Sequence, residues 1–152
     1  MASEHRGYLL DTSVISILAP GREPHLPASF APWLQARSSQ LFIPSVAIAE
    51  LTQGICKLRR AGGVARAERL ANWLDGLVDG YGDHILPVDA AVARLAGGIS
   101  DAAMAAGKHP GFADVAIAAT AQHAGLLLLS CNLKHFMALG VACCDPIAAL
   151  PE

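Results

Sequence analysis

Short apolar runs alternate with longer segments of helical periodicity along this chain, and this alternation constrains the fold more than any other feature. The five runs suit buried strands and cover residues 7–10, 40–43, 84–88, 126–129 and 141–144. Strands that alternate with helices build βαβ units, in which the strands are parallel. A parallel strand is buried on both faces and reads as a continuous apolar run. The pattern therefore predicts an α/β fold with a central parallel sheet and helices on both faces.

Helices are predicted between the strands, and their ends carry recognisable signals. The segments are 13–19, 29–38, 45–61, 63–81, 89–106, 113–124 and 133–139. We expect Ser45 and Asp89 to cap the helices that they open, because side-chain oxygens accept from the free N–H groups of a helix start. Gly125 is expected to end a helix just before the fourth strand. Since no internal repeat or second domain is visible, residues 1–152 are predicted to form a single domain.

The composition excludes several classes of protein. The chain has 152 residues, of which 53% are hydrophobic and 16% charged, so it is able to bury a full core and is not disordered. Its formal net charge of −2 means that any nucleic-acid binding depends on a local basic patch. No secretory signal or membrane-spanning run is visible, which predicts a cytoplasmic protein with no membrane partner. The high apolar content favours a homodimer.

Acidic residues lie where an open parallel sheet binds its ligands, at the carboxyl ends of the strands. Asp11 directly follows the first strand, Glu50 lies in the helix after the second, and Asp114 begins the helix before the fourth. Each has an ordinary alternative: a helix cap for Asp11, an exposed helix face for Glu50, and a complement to the helix dipole for Asp114. Three such residues within otherwise apolar segments favour one shared site.

A shared site of carboxylates predicts a divalent cation. Like charges that lie together repel one another and are costly to bury unpaired, and a hard cation removes that penalty. Mg²⁺ prefers oxygen ligands and commonly binds one or two carboxylates together with a substrate phosphate. Such a site suits the hydrolysis of a phosphodiester bond. The residues themselves thus indicate Mg²⁺ at Asp11, Glu50 and Asp114.

Four segments, in this order, resemble the PIN-domain toxins of the VapC and FitB kind. They are LLDTSVIS at 9–16, VAIAELTQG at 46–54, FADVAIAATAQHAGLLLLSCN at 112–132 and HFMALGV at 135–141. The resemblance implies a three-layer Rossmann-like PIN domain with the activity of a Mg²⁺- or Mn²⁺-dependent endoribonuclease. It also implies the toxin of a toxin–antitoxin pair, a dimer restrained by a cognate DNA-binding antitoxin. Position by position, the family's acidic residues fall on Asp11, Glu50 and Asp114, and its fourth site residue, an Asp or Asn, falls on Asn132.

The sequence departs from the family after its fourth strand. The family often has Thr-Arg before the fourth site residue, and this chain has Ser130-Cys131. A basic side chain able to contact RNA is therefore missing there, and Asn132 is uncharged, so three carboxylates are left to bind one metal ion. Asn132 is assigned to catalysis, where its amide would orient water or phosphate. Thr12 and Ser13 are assigned to substrate binding, with support of a carboxylate as the alternative role of their hydroxyls.

Two other functions fit the same residues. The first is a weakly active or inactive PIN-type regulatory subunit that acts only in complex with a DNA-binding antitoxin, which the neutral Asn132 and the missing arginine favour. The second is a small-molecule phosphatase of another Rossmann-like family. The sequence DTS at 11–13 argues against the phosphatase, because it lacks the second aspartate of a D-x-D motif.

Basic residues and histidines outside these motifs have ordinary interpretations. The densest basic region, residues 57–60 with Arg66 and Arg69, is interpreted as a solvated helix face, with a phosphate-binding patch as the alternative. His135, one of six scattered histidines, lies close after Asn132; it is not assigned to the site, and contact with the substrate is the alternative.

Overall fold

The computed structural model describes residues 5–21 and 26–152, which form five β-strands and seven α-helices. The strands are β1 (Tyr8–Leu10), β2 (Leu41–Pro44), β3 (Ile85–Leu86), β4 (Leu127–Leu129) and β5 (Cys143–Cys144). The helices are α1 (Thr12–Ile17), α2 (Phe30–Ala36), α3 (Ser45–Arg60), α4 (Val64–Tyr81), α5 (Ala90–Ala105), α6 (Phe112–Ala124) and α7 (Leu133–Met137). Every predicted element is present, and each end differs from its predicted position by at most two residues. In these two ranges, no helix is long and apolar enough to cross a membrane.

The five strands form one parallel sheet in the order β3-β2-β1-β4-β5. Leu9 of β1 lies opposite Phe42 of β2 on one side and opposite Leu128 of β4 on the other. From β1 the chain adds β2 and β3 in one direction and then β4 and β5 in the other. This reversal creates a switch point between β1 and β4, and open α/β sheets bind their ligands at the carboxyl ends of such a point.

Adjacent residues of the central strands point to opposite faces of the sheet, and both faces are covered. Leu9 and Leu128 are fully buried in a cluster with residues of α5 and α6. Leu10 and Leu129 are fully buried in a second cluster, with residues of α1 and α2. Burial on both sides explains why these strands read as continuous apolar runs. The predicted three-layer α/β architecture is therefore confirmed.

The helix ends show which of the predicted signals act. Asp89 caps α5, where its Oδ1 accepts a hydrogen bond from the N–H of Val92 at 2.9 Å. Gly125 ends α6 in the left-handed conformation with φ of 68°. The prediction for Ser45 was wrong: it is the first residue of α3, Pro44 holds the cap position, and among the described residues no side chain caps the helix. The reason is that β2 runs directly into α3 without a linking residue.

Candidate active site

Asp11 lies at the carboxyl end of the central strand, at the cap position of α1. Its backbone is extended, and its N–H donates to the carbonyl of Leu129 on β4 at 2.9 Å. Its carboxylate makes no capping bond to the described helix. Instead, Oδ2 accepts from the hydroxyls of Ser13 at 2.7 Å and Ser130 at 2.8 Å, and only 3% of the residue is exposed. The capping alternative therefore does not account for this carboxylate.

The two serines also fix the turn that follows β4. The Ser13 hydroxyl accepts from the N–H of Cys131 at 3.0 Å, and the Ser130 hydroxyl accepts from the N–H of Asn132 at 2.9 Å. Each hydroxyl thus donates to Asp11 and accepts from the turn, which ties the ends of β1 and β4 together. Ser130 is completely buried, so its bonds form in surroundings of low dielectric, where they are stronger. Asn132 lies at the exposed side of this turn.

Glu50 joins the site through the residue next to Asp11. The Thr12 hydroxyl donates to Glu50 Oε1 at 2.6 Å, and both residues are half-buried. A hydrogen bond to an ionised carboxylate is shorter and stronger than a neutral one. It holds the second turn of α3 against the start of α1. Glu50 is therefore not a freely solvated glutamate on a helix face.

Asp114 reaches the same end of the sheet from α6. It lies in the first helical turn, where a carboxylate also complements the helix dipole. Its Oδ2 lies 3.3 Å from Nδ1 of His135 on α7, and the two side chains are 33% and 64% exposed. A contact with this much exposure is screened by water and contributes little to stability. It does place Asp114 beside the short helix that follows Asn132.

The predicted catalytic residues lie on one connected path of contacts at the carboxyl end of the sheet. The path runs from Glu50 to Thr12, Asp11, Ser130, Asn132 and, through α7, to His135 and Asp114. Within residues 5–21 and 26–152, no lysine or arginine forms an ion pair with the three carboxylates. None of the three is thus paired with a permanently charged side chain in these ranges, and carboxylate oxygens are the ligands that Mg²⁺ and Mn²⁺ prefer.

The carboxylates are oriented by hydrogen bonds rather than gathered at one point. No group of three His, Cys, Asp or Glu residues in the described part of the chain is placed to bind a metal ion. The chemistry of the donors fits a divalent cation, and the assignment of Asp11, Glu50 and Asp114 as its ligands stays a prediction. Thr12 and Ser13 hold carboxylates, the alternative role of their hydroxyls, and their contact with substrate also stays a prediction.

Two cavities of similar size flank the path. One, of about 320 Å³, lies beside Glu50 between α3 and α4 and has Arg66 in its wall. The other, of about 310 Å³, lies beside Asp114 between the start of α6 and α7. A larger cavity of about 540 Å³ adjoins Leu41, at the amino end of β2 and thus at the opposite end of the sheet. Glu50 and Asp114 therefore each border open space, on opposite sides of the path.

Ser130 and His135 belong to the site although sequence reasoning does not assign them to it. Ser130 contacts Asp11 across 119 residues of chain, and its one signal in the sequence is its place at the end of a strand. His135 follows Asn132 by three residues, a spacing of less than one helical turn that places both near the start of α7. That spacing is the signal behind the alternative role given to His135 from the sequence.

The fold and the site define an α/β domain with an acidic site at the switch point of its sheet. The PIN domain family model matches residues 8–138. The chain belongs to the PIN domain family. No curated protein matches it in sequence.

Solved structures agree with this assignment. A chain in the crystal structure of FitAcB from Neisseria gonorrhoeae is 30% identical, with a TM-score of 0.76 over 91% of this chain and 97% of that chain. VapBC-5 from Mycobacterium tuberculosis, a member of the VapBC family of toxin–antitoxin systems, is 27% identical, with a TM-score of 0.61 over 90% and 94%. DNA-bound VapBC from Salmonella typhimurium, 23% identical with a TM-score of 0.76 over 91% and 97%, supports the fold alone. The resemblance to PIN domains of the VapC and FitB kind is thus confirmed.

Proposed function

We propose that this chain is a metal-dependent endoribonuclease that acts as the toxin of a toxin–antitoxin pair. The observation that carries the proposal is the connected path that joins Asp11, Glu50 and Asp114 at the switch point of a PIN domain. Three carboxylates on separate elements supply the oxygen donors that a hard cation and an adjacent phosphate require. The match to the VapBC-5 toxin–antitoxin system and to FitAcB supports the biological role.

The proposed cofactor is Mg²⁺ or Mn²⁺, which Asp11, Glu50 and Asp114 would hold. When bound, the cation activates water and offsets the negative charge that develops on the leaving oxygen. Ser130 orients the Asp11 carboxylate from within the core, and this hydrogen bond does not depend on the cation. The Thr12 hydroxyl orients the Glu50 carboxylate through its hydrogen bond to Oε1.

The substrate would approach from the exposed side of the turn after β4. Asn132 is exposed there while its backbone is tied to Ser130, so its amide is available to orient water or the scissile phosphate. In-line attack by water on phosphorus breaks the bond to the leaving oxygen, which takes up a proton. We infer that the products carry 3′-hydroxyl and 5′-phosphate ends.

The proposed partners are a cognate DNA-binding antitoxin and a second copy of the chain. A matched FitAB structure, 28% identical, is bound to a DNA fragment, which supports a partner of this kind. Three large apolar side chains, Met104, Phe112 and Met137, are 56%, 72% and 63% exposed on α5, α6 and α7 and favour a protein contact. We place the toxin and its antitoxin in the cytoplasm.

Light scattering at micromolar concentration tests the proposed homodimer. We expect the mass of a dimer, and a mass near 15.8 kDa without partner would contradict the homodimer.

Cleavage of an end-labelled RNA with and without divalent cation tests the proposed activity. We expect cleavage with Mg²⁺ or Mn²⁺ and none in EDTA. Asp114→Asn should lose roughly 100-fold or more, since loss of a cation ligand exceeds the 10–100-fold effect typical of an outer-shell partner. Asp101→Asn, which neutralises an exposed carboxylate on α5, is the matched control and should cleave normally. Cleavage that needs no metal, or full activity in Asp114→Asn, would contradict the proposal.

A regulatory PIN subunit without strong nuclease activity is the second candidate. The neutral, exposed Asn132 favours it, because three carboxylates attract cations less strongly than four. Under this alternative the natural protein binds its antitoxin and the DNA complex forms, while RNA remains intact with either cation. The same cleavage experiment therefore separates the two candidates.

A further inference from the structure

A basic cavity adjoins the candidate active site beside Asp114. It measures about 310 Å³ and lies between the loop that precedes α6 and helix α7. Lys108 and His109 line it from the loop, and Lys134 and His135 line it from the helix. All four of these side chains are exposed, and Asp114 is the one acidic residue in the wall.

Local structure sets the position of each lysine on the wall of the cavity. Gly107 lies two residues after the end of α5 and has the left-handed conformation, with φ of 78°. The N–H of Gly107 donates to the carbonyl of Met104, and the N–H of Lys108 donates to the carbonyl of Ala103, both at 2.9 Å. These two bonds form a Schellman motif, which fixes the direction of the chain at Lys108. Lys134 lies in the first turn of α7, so the two ammonium groups extend from separate walls of the cavity.

The basic lining of this cavity contrasts with that of the cavity on the Glu50 side of the site. The chain as a whole carries a formal charge of −2. The cavity beside Glu50 has one basic lining residue, Arg66, and a wall that includes Leu70 and Trp73. A polyanion that approaches the carboxylates is therefore attracted to the Asp114 side rather than the Glu50 side.

We propose that Lys108 and Lys134 bind phosphates of single-stranded RNA next to the bond that is cut, so that the strand crosses the site on the Asp114 side. The inference rests on the proposed nuclease function and adds the path of its substrate. A lysine ammonium is a compact charge that pairs with phosphate without reading the base. Phosphate contacts of this kind are typical of channels for single strands.

Binding of a fluorescein-labelled single-stranded RNA, followed by anisotropy in EDTA, tests the path without metal-dependent cleavage. The cavity variant combines Lys108→Ala with Lys134→Ala. The matched control combines Arg6→Ala with Arg37→Ala, which removes the same charge from the opposite end of the sheet, beside the amino ends of β1 and β2. Substitution of surface side chains seldom disturbs the fold, and equal melting temperatures would verify this.

Each phosphate contact to a single strand contributes about 0.7 to the slope of log K against log salt. The cavity variant lacks two such contacts, so the magnitude of its slope should be smaller by about 1.4. If the two binding lines meet at 1 M salt, its affinity at 0.1 M salt falls by roughly 25-fold. The control should bind like the natural protein.

An equal loss in both variants would mean attraction by net charge alone, and no loss in the cavity variant would place the strand elsewhere. Either result, or an absence of RNA binding by the natural protein, overturns the inference. Cleavage in Mg²⁺ is measured separately. RNA that binds through the two lysines and is never cut would sustain the inference and contradict the proposed function. Cleavage with an unchanged kcat/KM in the cavity variant would contradict the inference and sustain the proposed function.

Discussion

Asp11 and Asp89 both hold the cap position of a helix that follows a strand, yet only Asp89 behaves as a cap. Asp89 is exposed, and its carboxylate accepts from the N–H of Val92 three residues further along the chain. Asp11 is 3% exposed, and its carboxylate accepts from the hydroxyls of Ser13 and Ser130 instead. The local setting is alike at the two positions, and the tertiary surroundings are opposite.

The difference shows that burial and partners, rather than position before a helix, decide what an aspartate does. A capping bond typically contributes about 1 kcal/mol and needs only neighbouring residues. A buried carboxylate without a cationic partner is unfavourable, and two hydroxyl donors offset only part of its desolvation. We therefore assign function to Asp11 and helix stabilisation to Asp89.

Substitution of each aspartate by asparagine is the strongest test of this contrast. Asparagine keeps the shape and the capping ability of aspartate but loses its charge. Asp11→Asn should lower kcat/KM for RNA cleavage in Mg²⁺ by roughly 100-fold or more, because a cation ligand is lost. Asp89→Asn is the matched control and should cleave at nearly the natural rate. Equal activity of the two variants would remove Asp11 from the mechanism.

The elements of the fold are predictable from the sequence because their signals are local. Apolar runs and helical periodicity repeat along the chain and need no knowledge of distant residues. The third strand shows the limit: it was predicted over 84–88 and spans only Ile85–Leu86. Pro87 has no N–H to donate to a neighbouring strand, so the pairing ends before it.

The candidate site is predictable in outline for a different reason. Parallel topology brings the carboxyl ends of the strands to one edge, so the positions of Asp11, Glu50 and Asp114 follow from the order of elements. The contacts that orient these carboxylates cannot be predicted from the order of elements. Ser130 meets Asp11 across 119 residues, and His135 meets Asp114 only once α7 has packed beside α6. These contacts form only in the tertiary structure, so no local segment of the sequence predicts them.

Removal of the Ser130 hydroxyl tests whether the surroundings of Asp11 matter for function. Ser130→Ala takes away a donor to Asp11 and the acceptor for the N–H of Asn132. Loss of a group that orients a metal ligand typically weakens metal affinity or activity by about 10–100-fold. Calorimetric titration with Mn²⁺ measures the affinity, with Ser100→Ala on α5 as the control. Lower thermal stability with unchanged Mn²⁺ affinity would limit Ser130 to a structural role.

The uncharged Asn132 predicts that the natural protein binds one cation tightly. Asn132→Asp should tighten binding of a second Mn²⁺ by about tenfold, or about 1.4 kcal/mol. This is well below the ~4 kcal/mol of two charges 4 Å apart at an effective dielectric near 20, because Asn132 is exposed and water screens the added charge. Asn72→Asp, on the exposed face of α4, adds the same charge elsewhere and should not change the titration. Two tight sites in the natural protein would contradict this prediction.

The smallest expected effect is the loss of stability when the capping carboxylate of Asp89 is removed. Asp89→Ala should lower the stability by about 1 kcal/mol, because the N–H of Val92 loses its acceptor. For a chain of this length that corresponds to a melting temperature roughly 2–4 °C lower. Asp89→Asn keeps the capping oxygen and should melt near the natural protein, so the difference between the two variants isolates the capping bond. RNA cleavage below the melting transition should be the same in both, since Asp89 lies outside the connected path. If Asp89→Ala melts like the natural protein, the bond to Val92 does not stabilise α5, and a loss of cleavage without a loss of stability would extend the active site to β3.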